Sequence, residues 1–245
     1  IVDHVDEIII VDTGSVDHTI EIAKKHHAEI FEIEWKNDFS YARNFSISKA
    51  TKDWILVLDA DEVVPEQEIL KIKRIIQNTG AEAYQIVIRN MLPPGEIVSY
   101  REQPAIRLFK NHTGIEYRGI IHESVQESLI EANYGIYKST IYLNHNGYAQ
   151  TVAQGDVSRG DRNLSLLLES LKTNKFDAYI HYQLGITYKH QNQFDLATDH
   201  LKSALSHNKK ELSSDIVSDI FLKLAQITSL EGNAKRTIKY AKNSL

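Results

Sequence analysis

The sequence predicts an α/β domain followed by an all-helical region. In the first 80 residues, three apolar runs are each followed by a helical pattern, which is typical of a parallel α/β sheet. Shorter strand patterns then continue to about residue 150, which indicates antiparallel or mixed sheet added to the first part. Helical periodicity occupies the remainder. We therefore expect a mixed sheet flanked by helices over 1–150 and a helical region over 151–245.

The central element of this prediction is the apolar run at residues 54–58, which is followed by Asp59, Asp61 and Glu62. A short unbroken apolar run predicts a strand that is buried on both faces in the middle of a parallel sheet. Ligands bind at the carboxyl ends of such strands. Two carboxylates separated by one residue can turn toward one point and hold Mg²⁺ or Mn²⁺. The alternative is that the aspartates are turn residues and that Glu62 begins a helix.

The remaining elements follow from apolar periodicity and from capping and turn residues. Pro65 marks the start of a helix that ends near Gly80, with Ile69, Leu70, Ile72, Ile75 and Ile76 on its apolar side. The other predicted strands are residues 7–11, 30–33, 83–88, 105–109, 115–121 and 139–143, and the other predicted helices are 18–27, 41–50 and about 161–171.

Composition excludes several classes of function. The 245 residues carry a formal net charge of −5 without a long basic run, which argues against nucleic acid as a partner. The absence of cysteine excludes disulfides, thiolate zinc sites and cysteine nucleophiles. No apolar stretch reaches the roughly 18 residues that span a bilayer, so we expect a cytoplasmic protein, with peripheral membrane association left open. The chain opens at Ile1 and its one methionine is Met91, so we expect a fragment of a longer chain.

The C-terminal third carries a repeat. Leu184, Gly185 and Tyr188, followed by Ala197, Leu201 and Ala204, have the spacing of a tetratricopeptide unit of about 34 residues. Small residues at 185 and 197 would let paired helices approach closely. A poorer second copy contains Ala225, Gly232 and Ala241. The alternative is an ordinary antiparallel helical extension. In either case we expect a surface for protein partners rather than a catalytic site.

Several motifs occur together in one order along the chain. These are residues 8–15 with Asp17, residues 35–44, Asp59-Ala60-Asp61, residues 107–109, residues 119–123 and residues 145–148. The ordered set resembles the family 2 glycosyltransferases, which have the GT-A nucleotide-sugar-binding fold. It is similar in particular to a bacterial branch with trailing tetratricopeptide helices, which includes sublancin-type peptide S-glycosyltransferases and lipopolysaccharide-core glucosyltransferases. The resemblance covers nearly the whole chain.

The resemblance implies a metal-dependent, inverting transfer of a hexose from a nucleotide-diphosphate sugar, with a UDP-sugar expected. The acceptor would be a peptide, a protein or a glycan, and the cofactor Mg²⁺ or Mn²⁺. An alternative is a non-catalytic tetratricopeptide scaffold with a sugar-nucleotide-binding domain. A metal-dependent phosphohydrolase is a third hypothesis, but the sequence has neither an Asp-initiated nucleophile loop nor the glycine pattern of a P-loop. The family also begins with a strand that lines the nucleotide site, and we expect this chain to lack it.

The resemblance also assigns nucleotide-binding roles. Asp12 would accept hydrogen bonds from the base or ribose, with Ser15 and Asp17 in the same turn. Relatives often carry a second acidic residue where this chain has Thr13, so the resemblance does not decide which side chain recognises the nucleotide base. Arg43 and Asn44 would reach the base or diphosphate. The structural alternatives are a helix-entry turn for Asp12 and a surface ion pair for Arg43.

Metal-binding and catalytic roles follow in the same way. Asp61 would be the principal metal ligand, and Asp59 would contact the ribose or support the metal. Glu123 would be the general base, with His122 as metal ligand, phosphate contact or alternative base. His145 is a further candidate for metal or diphosphate contact. Structural roles are the alternatives for all three later residues. The histidines at 26, 27, 190 and 200 are expected on helical surfaces and receive no role.

Overall fold

The computed structural model describes residues 1–77, 80–92, 99–112, 114–147, 157–208 and 212–244. The chain divides into two compact units, Ile1–Asp156 and Val157–Leu245. The first unit contains sheets and helices, and the described part of the second unit is helical. The expected order of an α/β region followed by an all-α region is therefore confirmed. Tyr148, at the end of one of the motifs, lies outside the described residues.

The first unit begins with a strand–helix–strand arrangement. After a short 3-10 helix at Val2–His4, strand β1 (Ile9–Asp12) pairs in parallel with β2 (Glu29–Glu32), and helix α1 (Thr19–Lys25) connects them. Helix α2 (Phe39–Lys49) follows, and the carboxylate of Asp38 accepts the Tyr41 backbone N–H at 3.0 Å at its N-terminus. These elements match the predicted order, with ends that differ by a few residues.

A five-stranded mixed sheet forms the rest of this unit. Its strands in spatial order are β3 (Trp54–Leu56), β6 (Tyr100–Lys110), β5 (Ala83–Met91), β7 (Ile136–His145) and β4 (Glu62–Val63). The β5–β7 pair is parallel and the other three pairs are antiparallel. The predicted mixed sheet after Gly80 is thus confirmed, and its register decides which polar side chains meet.

The prediction for strand β3 was partly wrong. It lies at one end of this sheet and pairs antiparallel with β6, instead of occupying the middle of a parallel sheet. Its apolar run still has a clear cause, because alternate side chains reach both faces of the sheet. Trp54 and Leu56 pack against one buried cluster, whereas Ile55 and Val57 pack against the other. A strand whose two faces both pack against buried clusters has a continuous apolar sequence wherever it lies in the sheet.

Residues 115–121 do not form the predicted strand. Ile115 and Tyr117 are buried in alternation, which imitates the period of a strand, but the segment has only a single bridge between Arg118 and Ser124. Between these bridge partners the chain turns sharply, with φ of 99° at Gly119 and 56° at His122. A tight turn therefore stands where a strand with paired hydrogen bonds was predicted, and helix α4 (Gln126–Glu131) follows it.

Helix α3 (Glu66–Ile75) begins after Pro65, as predicted. Ile69 and Ile72 are buried, but Leu70 is 54% exposed and does not belong to the apolar side. Leu70 lies one residue from Ile69, which places it about 100° away around the helix. The helix covers one face of the mixed sheet, where Ile72 joins the buried cluster around Ile86 and Leu143.

The second unit has five helices in residues 157–208 and 212–244. They are α5 (Val157–Thr173), α6 (Ala178–His190), α7 (Phe194–His207), α8 (Ser214–Leu230) and α9 (Ala234–Asn243). Leu184, Ala197, Leu201 and Ala204 are completely buried, as the repeat pattern requires. A Cβ atom at Gly185 would lie 2.6 Å from Cγ of Leu201, so the close approach of α6 and α7 depends on glycine.

One histidine in this unit differs from the prediction. His200 is only partly exposed: its Nδ1 is 2.9 Å from Nδ1 of the buried His181, and its ring stacks on Tyr188. Burial, followed by the proximity of His181, lowers the pKa of His200. None of the helices in the described ranges combines the length and the apolar composition that a bilayer crossing requires.

Candidate active site

The turn after β1 holds Asp12, Ser15 and Asp17. The buried Asp12 carboxylate accepts backbone N–H bonds from Gly14 and Ser15 at 3.0 Å, and the Ser15 hydroxyl donates to its other oxygen. The hydroxyl bond from Ser15 is the main reason that the pKa of Asp12 is lowered, although burial opposes it. Asp17 accepts the Thr19 N–H at 3.0 Å where α1 begins. These contacts shape the turn, and nucleotide binding by the three residues stays a prediction.

Two arginines and three carboxylates form the central network of the site. Arg43 on α2 donates from NH2 to Oδ1 of Asp59 at 2.6 Å and from Nε to Oε1 of Glu123 at 2.5 Å. Arg107 on β6 donates from NH2 to Oδ2 of Asp59 at 2.8 Å and to Oε1 of Glu62 at 2.9 Å. Asp59 therefore joins the two guanidinium groups, and Arg43 joins Asp59 to Glu123.

The strand register creates this network. Leu56 on β3 pairs with Leu108 on β6, and the Val57 N–H donates to the Arg107 carbonyl at 2.8 Å, which continues the pairing toward Asp59. The Asp59 N–H in turn donates to Oε2 of Glu62 at 2.9 Å and fixes the start of the acidic turn. Glu62 and Arg107, 45 positions apart, thus meet because Asp59 follows β3 beside β6 and the acidic turn holds the Glu62 carboxylate next to Asp59.

The charges in the network shift several pKa values. Burial acts to raise the pKa of Asp59, but the charges of Arg43 and Arg107 outweigh it and lower that pKa to about 2. Burial raises the pKa of Glu62, whose side chain is only 2% exposed, although Arg107 opposes the shift. The pKa of Arg107 is raised, because Asp59 and Glu62 outweigh its burial. Asp59 is therefore an ionised partner of two arginines at any physiological pH.

Tyr117 and Asn44 form a support beneath Arg43. The Arg43 guanidinium lies 5.4 Å from the centre of the Tyr117 ring. Burial raises the pKa of Tyr117 to about 12, so its phenol stays neutral. The Asn44 side chain donates to the Tyr117 carbonyl at 2.9 Å and accepts its N–H at 2.7 Å. Asn44 thus holds the Tyr117 backbone in place, and its contact with a base or diphosphate stays a prediction.

The turn at 119–123 brings Glu123 into the network. Ser40 on α2 donates to the Gly119 carbonyl at 2.5 Å, and Phe39 N–H donates to the Ile120 carbonyl at 2.9 Å, which fixes the turn against the start of α2. The Glu123 side chain is 12% exposed. His122 has φ of 56°. Desolvation lowers the pKa of its imidazole, and the charge of Glu123 opposes this shift. Roles in catalysis stay predictions for both residues.

Asp61 and His145 form a second group. Strand β4 pairs Glu62 with His145, and the Asn146 N–H donates to the Asp61 carbonyl at 3.0 Å. This arrangement places Nε2 of His145 3.2 Å from Oδ2 of Asp61. The other ring nitrogen, Nδ1, lies 2.7 Å from Oδ1 of Asn90. The side chains of His145 and Asp61 are 25% and 37% exposed, so ligands can reach them.

These residues fit a divalent cation that takes further ligands from a substrate. No group of three histidine, cysteine, aspartate or glutamate side chains in the described ranges could hold a metal ion by itself. Mg²⁺ commonly binds through one or two carboxylates plus phosphate oxygens and water. Asp61 supplies one carboxylate, and the imidazole of His145 lies beside it. Both oxygens of Asp59 already accept from arginines. These bonds engage both oxygens of Asp59, and its contact with metal or ribose stays a prediction.

Sequence reasoning missed four contributors to the site. Arg107 and Glu62 complete the charge network, Tyr117 lies beneath Arg43, and Asn90 contacts His145. Glu62 follows the Asp59-Ala60-Asp61 motif directly, so its position was a signal. Asn90 carries no local signal, because only the parallel pairing of β5 with β7 places it opposite His145.

Known proteins share this sequence pattern. The model of the family described as "Glycosyl transferase family 2" matches residues 3–127. A TPR repeat-containing protein of Synechococcus elongatus is 33% identical over 217 residues, which cover 85% of this chain and 52% of the relative. The SPbeta prophage-derived glycosyltransferase SunS of Bacillus subtilis is 28% identical over 213 residues, which cover 85% and 49%. The chain thus spans about half the length of these curated relatives.

Among solved structures, TarS of S. aureus (residues 1–349) aligns with a TM-score of 0.47 and 12% identity, over 96% of this chain and 81% of that chain. A mannosyltransferase of Pyrobaculum calidifontis, in complex with GDP-Man and Mn²⁺, aligns with a TM-score of 0.45 and 13% identity, over 97% and 76%.

Proposed function

Because this chain belongs to glycosyl transferase family 2, we propose that it transfers a hexose from a nucleotide-diphosphate sugar to a peptide or glycan acceptor. The proposed donor is a UDP-sugar, and the proposed cofactor is Mg²⁺ or Mn²⁺. The observation that carries the proposal is the pair of Asp61 and His145, 3.2 Å apart, beside a network in which Arg43 holds Asp59 and Glu123.

The reaction is a single displacement at the anomeric carbon. An acceptor oxygen or sulfur forms a bond to this carbon while the bond from the carbon to the β-phosphate oxygen breaks. The nucleoside diphosphate leaves with the electron pair of that bond, and the acceptor proton passes to the carboxylate of Glu123. Attack from the side opposite the leaving group inverts the anomeric configuration.

The proposed general base is Glu123. Arg43 binds only Oε1, and no hydrogen bond within the described residues engages Oε2. That second oxygen is available to an acceptor O–H or S–H, while the bond from Arg43 fixes the orientation of the carboxylate. A base held within hydrogen-bond reach of its proton contributes about 10²–10⁴-fold to a rate.

The leaving group requires positive charge. Asp61 and Nε2 of His145 would hold the cation, which when bound stabilises the negative charge that grows on the departing diphosphate. Arg43 and Arg107 add two guanidinium groups to the neighbouring network. Their pairing with three carboxylates keeps them fixed, so the site does not have to reorganise as charge moves.

Calorimetric titration with UDP tests this proposal. We expect the unaltered chain to bind UDP more tightly with Mn²⁺ than without it, and Asp61→Ala to lose that dependence. The matched control is Asp53→Ala, which removes an exposed carboxylate just before β3. If Asp61→Ala bound UDP with the same Mn²⁺ dependence as the unaltered chain, the metal-ligand assignment would be wrong.

A further inference from the structure

We propose that Tyr117 is a positioning residue whose ring holds the Arg43 guanidinium in one orientation and, through it, the carboxylate of Glu123. The inference rests on the proposed role of Glu123 as general base and extends it to a buried residue that acts only through Arg43. The hydroxyl of Tyr117 takes no part in this role. Position 117 therefore requires an aromatic ring, and it does not require a phenol.

Two hydrogen bonds by themselves leave the Arg43 guanidinium free to tilt. Nε donates to Oε1 of Glu123 at 2.5 Å, and NH2 donates to Oδ1 of Asp59 at 2.6 Å. Two donor atoms define a line, and the planar group can still rotate about that line. Such a rotation turns both N–H groups away from their acceptors, and hydrogen bonds weaken steeply as their angle falls toward about 120°.

The ring of Tyr117 supplies a third contact that stops this tilt. Cζ of Arg43 lies over the ring, 5.4 Å from its centre, within the range of about 6 Å at which an aromatic face attracts a cation. The Arg43 side chain is 19% exposed, and this attraction is stronger where water is excluded. The guanidinium is thus held by two carboxylates through its N–H groups and by one ring through its positive charge.

The ring of Tyr117 is itself fixed on two sides. It is buried in the cluster that contains Phe109, and the two rings meet edge to face with their centres 6.3 Å apart. Asn44, which follows Arg43 on α2, holds the Tyr117 backbone with hydrogen bonds of 2.9 and 2.7 Å. Because adjacent residues of one helix contact the ring and its backbone, the distance between the ring and the guanidinium is set locally.

The hydroxyl of Tyr117 can be separated from the ring by substitution. Its oxygen is buried and has no hydrogen-bond partner within the described residues. A buried polar atom without a partner costs free energy, so the hydroxyl does not account for a tyrosine at this position. Phenylalanine presents the same aromatic face to Arg43 without that atom, whereas leucine fills the space without an aromatic face.

The first measurement is the Nε–H signal of Arg43 in ¹⁵N–¹H correlation spectra of the unliganded full chain. Arg43→Lys identifies the signal by its loss. In the unaltered chain and in Tyr117→Phe, we expect slow exchange of this hydrogen with water, and in Tyr117→Leu exchange about 10-fold faster. If the hydrogen in the unaltered chain exchanged as fast as that of the exposed Arg101, the proposal would be overturned, whatever the variants do.

The second measurement is UDP release from UDP-glucose in the presence of Mn²⁺, with water as the acceptor. The bond from the anomeric carbon to the β-phosphate oxygen breaks, a water oxygen bonds to that carbon, and the water proton passes to Glu123. Tyr117→Leu should lower kcat about 10–100-fold at unchanged KM, because the base is displaced while the donor contacts remain. Tyr117→Phe should restore kcat. Tyr134→Leu is the matched control, since Tyr134 packs against the same cluster but its ring lies on His112.

The two measurements separate the two proposals. Absence of UDP release by the unaltered chain would count against the proposed function, while the Arg43 signal would still decide what the ring of Tyr117 does. Unchanged kcat in Tyr117→Leu after a change in the Arg43 signal, or a higher KM at unchanged kcat, would overturn the link to Glu123. Fast exchange in Tyr117→Phe would assign the role to the hydroxyl and overturn the proposal. Circular dichroism checks folding, and if Tyr117→Leu does not fold, the spectra of the unaltered chain and of Tyr117→Phe decide the question.

Discussion

Replacing Asp59 by asparagine should lower the stability of the first unit by about 1 kcal/mol at pH 7. Asp59 accepts from Arg43 at 2.6 Å and from Arg107 at 2.8 Å. An asparagine amide can accept from one arginine but presents its NH₂ group to the other. One guanidinium group, only 19% exposed for Arg43 or 11% for Arg107, would then lose its main counter-charge.

The magnitude follows from the pKa of Asp59. Despite burial, which raises it, Arg43 and Arg107 lower this pKa from its ordinary value of 3.8 to about 2. One pKa unit corresponds to about 1.4 kcal/mol, so the unscreened effect is about 2.5 kcal/mol. Since 38% of the side chain is exposed, solvent screening reduces the contribution to about 1 kcal/mol.

The sign of the pH dependence follows from the same shift. A carboxylate whose pKa is lower in the folded state adds stability above its ordinary value of 3.8 and loses it as the pH falls toward about 2. The difference between the unaltered chain and Asp59→Asn should thus be full at pH 7 and disappear near pH 2. The raised pKa of Glu62 acts in the opposite direction; its main cause, burial, is common to both proteins, and Asp59→Asn removes only the part that the charge of Asp59 adds.

Urea unfolding monitored by tryptophan fluorescence measures the effect in the relevant unit. The chain has two tryptophans, Trp35 and Trp54, and both lie in the first unit. Asp53→Asn is the control, because its side chain is exposed and it makes the same change in charge. A difference at pH 7 of only a few tenths of a kcal/mol, or one that persists at pH 2, would refute the electrostatic role of Asp59.

Two further predictions concern the general base and the helix pair. Glu123→Gln keeps an acceptor for Arg43 but removes the proposed base. UDP release from a UDP-hexose in the presence of acceptor should therefore slow about 10²–10⁴-fold, with unchanged UDP affinity. The exposed Glu127→Gln is the control, and retained turnover in Glu123→Gln would exclude Glu123 as the general base. Gly185→Ala places a Cβ 2.6 Å from Cγ of Leu201, so it should lower the free energy of unfolding of the helical unit by about 1–3 kcal/mol, measured by thermal unfolding. Gly160→Ala, whose Cβ would have no atom within 4 Å, should stabilise the same unit. Equal shifts in the two glycine variants would contradict the packing argument.

The sequence could predict the features that depend on neighbouring residues. The apolar run before Asp59, the start of α3 after Pro65 and the small residues between α6 and α7 all have local causes. Alternating burial at Ile115 and Tyr117 misled the prediction, because the same period arises where a turn packs over a core. Periodicity reports which side chains are buried, and it does not report whether the backbone has a pairing partner.

The sequence could not predict features that depend on register. Arg107 reaches Asp59 because β6 lies beside β3, and Asn90 reaches His145 because β5 is parallel to β7. A shift of one residue in either pairing would turn the side chain to the other face of the sheet. Such contacts join residues 48 positions apart for Arg107 and Asp59 and 55 apart for Asn90 and His145. No local pattern encodes a separation of that length.

The structure also separates two carboxylates that the sequence places side by side. Asp59 binds two arginines with both oxygens, whereas Asp61 faces an imidazole and is 37% exposed. Arg43 donates hydrogen bonds to both Asp59 and Glu123. The ionised Asp59 therefore helps to fix the arginine that orients the carboxylate proposed as the base. Asp59, Glu62 and Glu123 already pair with the arginines, which leaves Asp61 as the proposed ligand of the cation. Two aspartates separated by one residue therefore belong to two different hydrogen-bond networks.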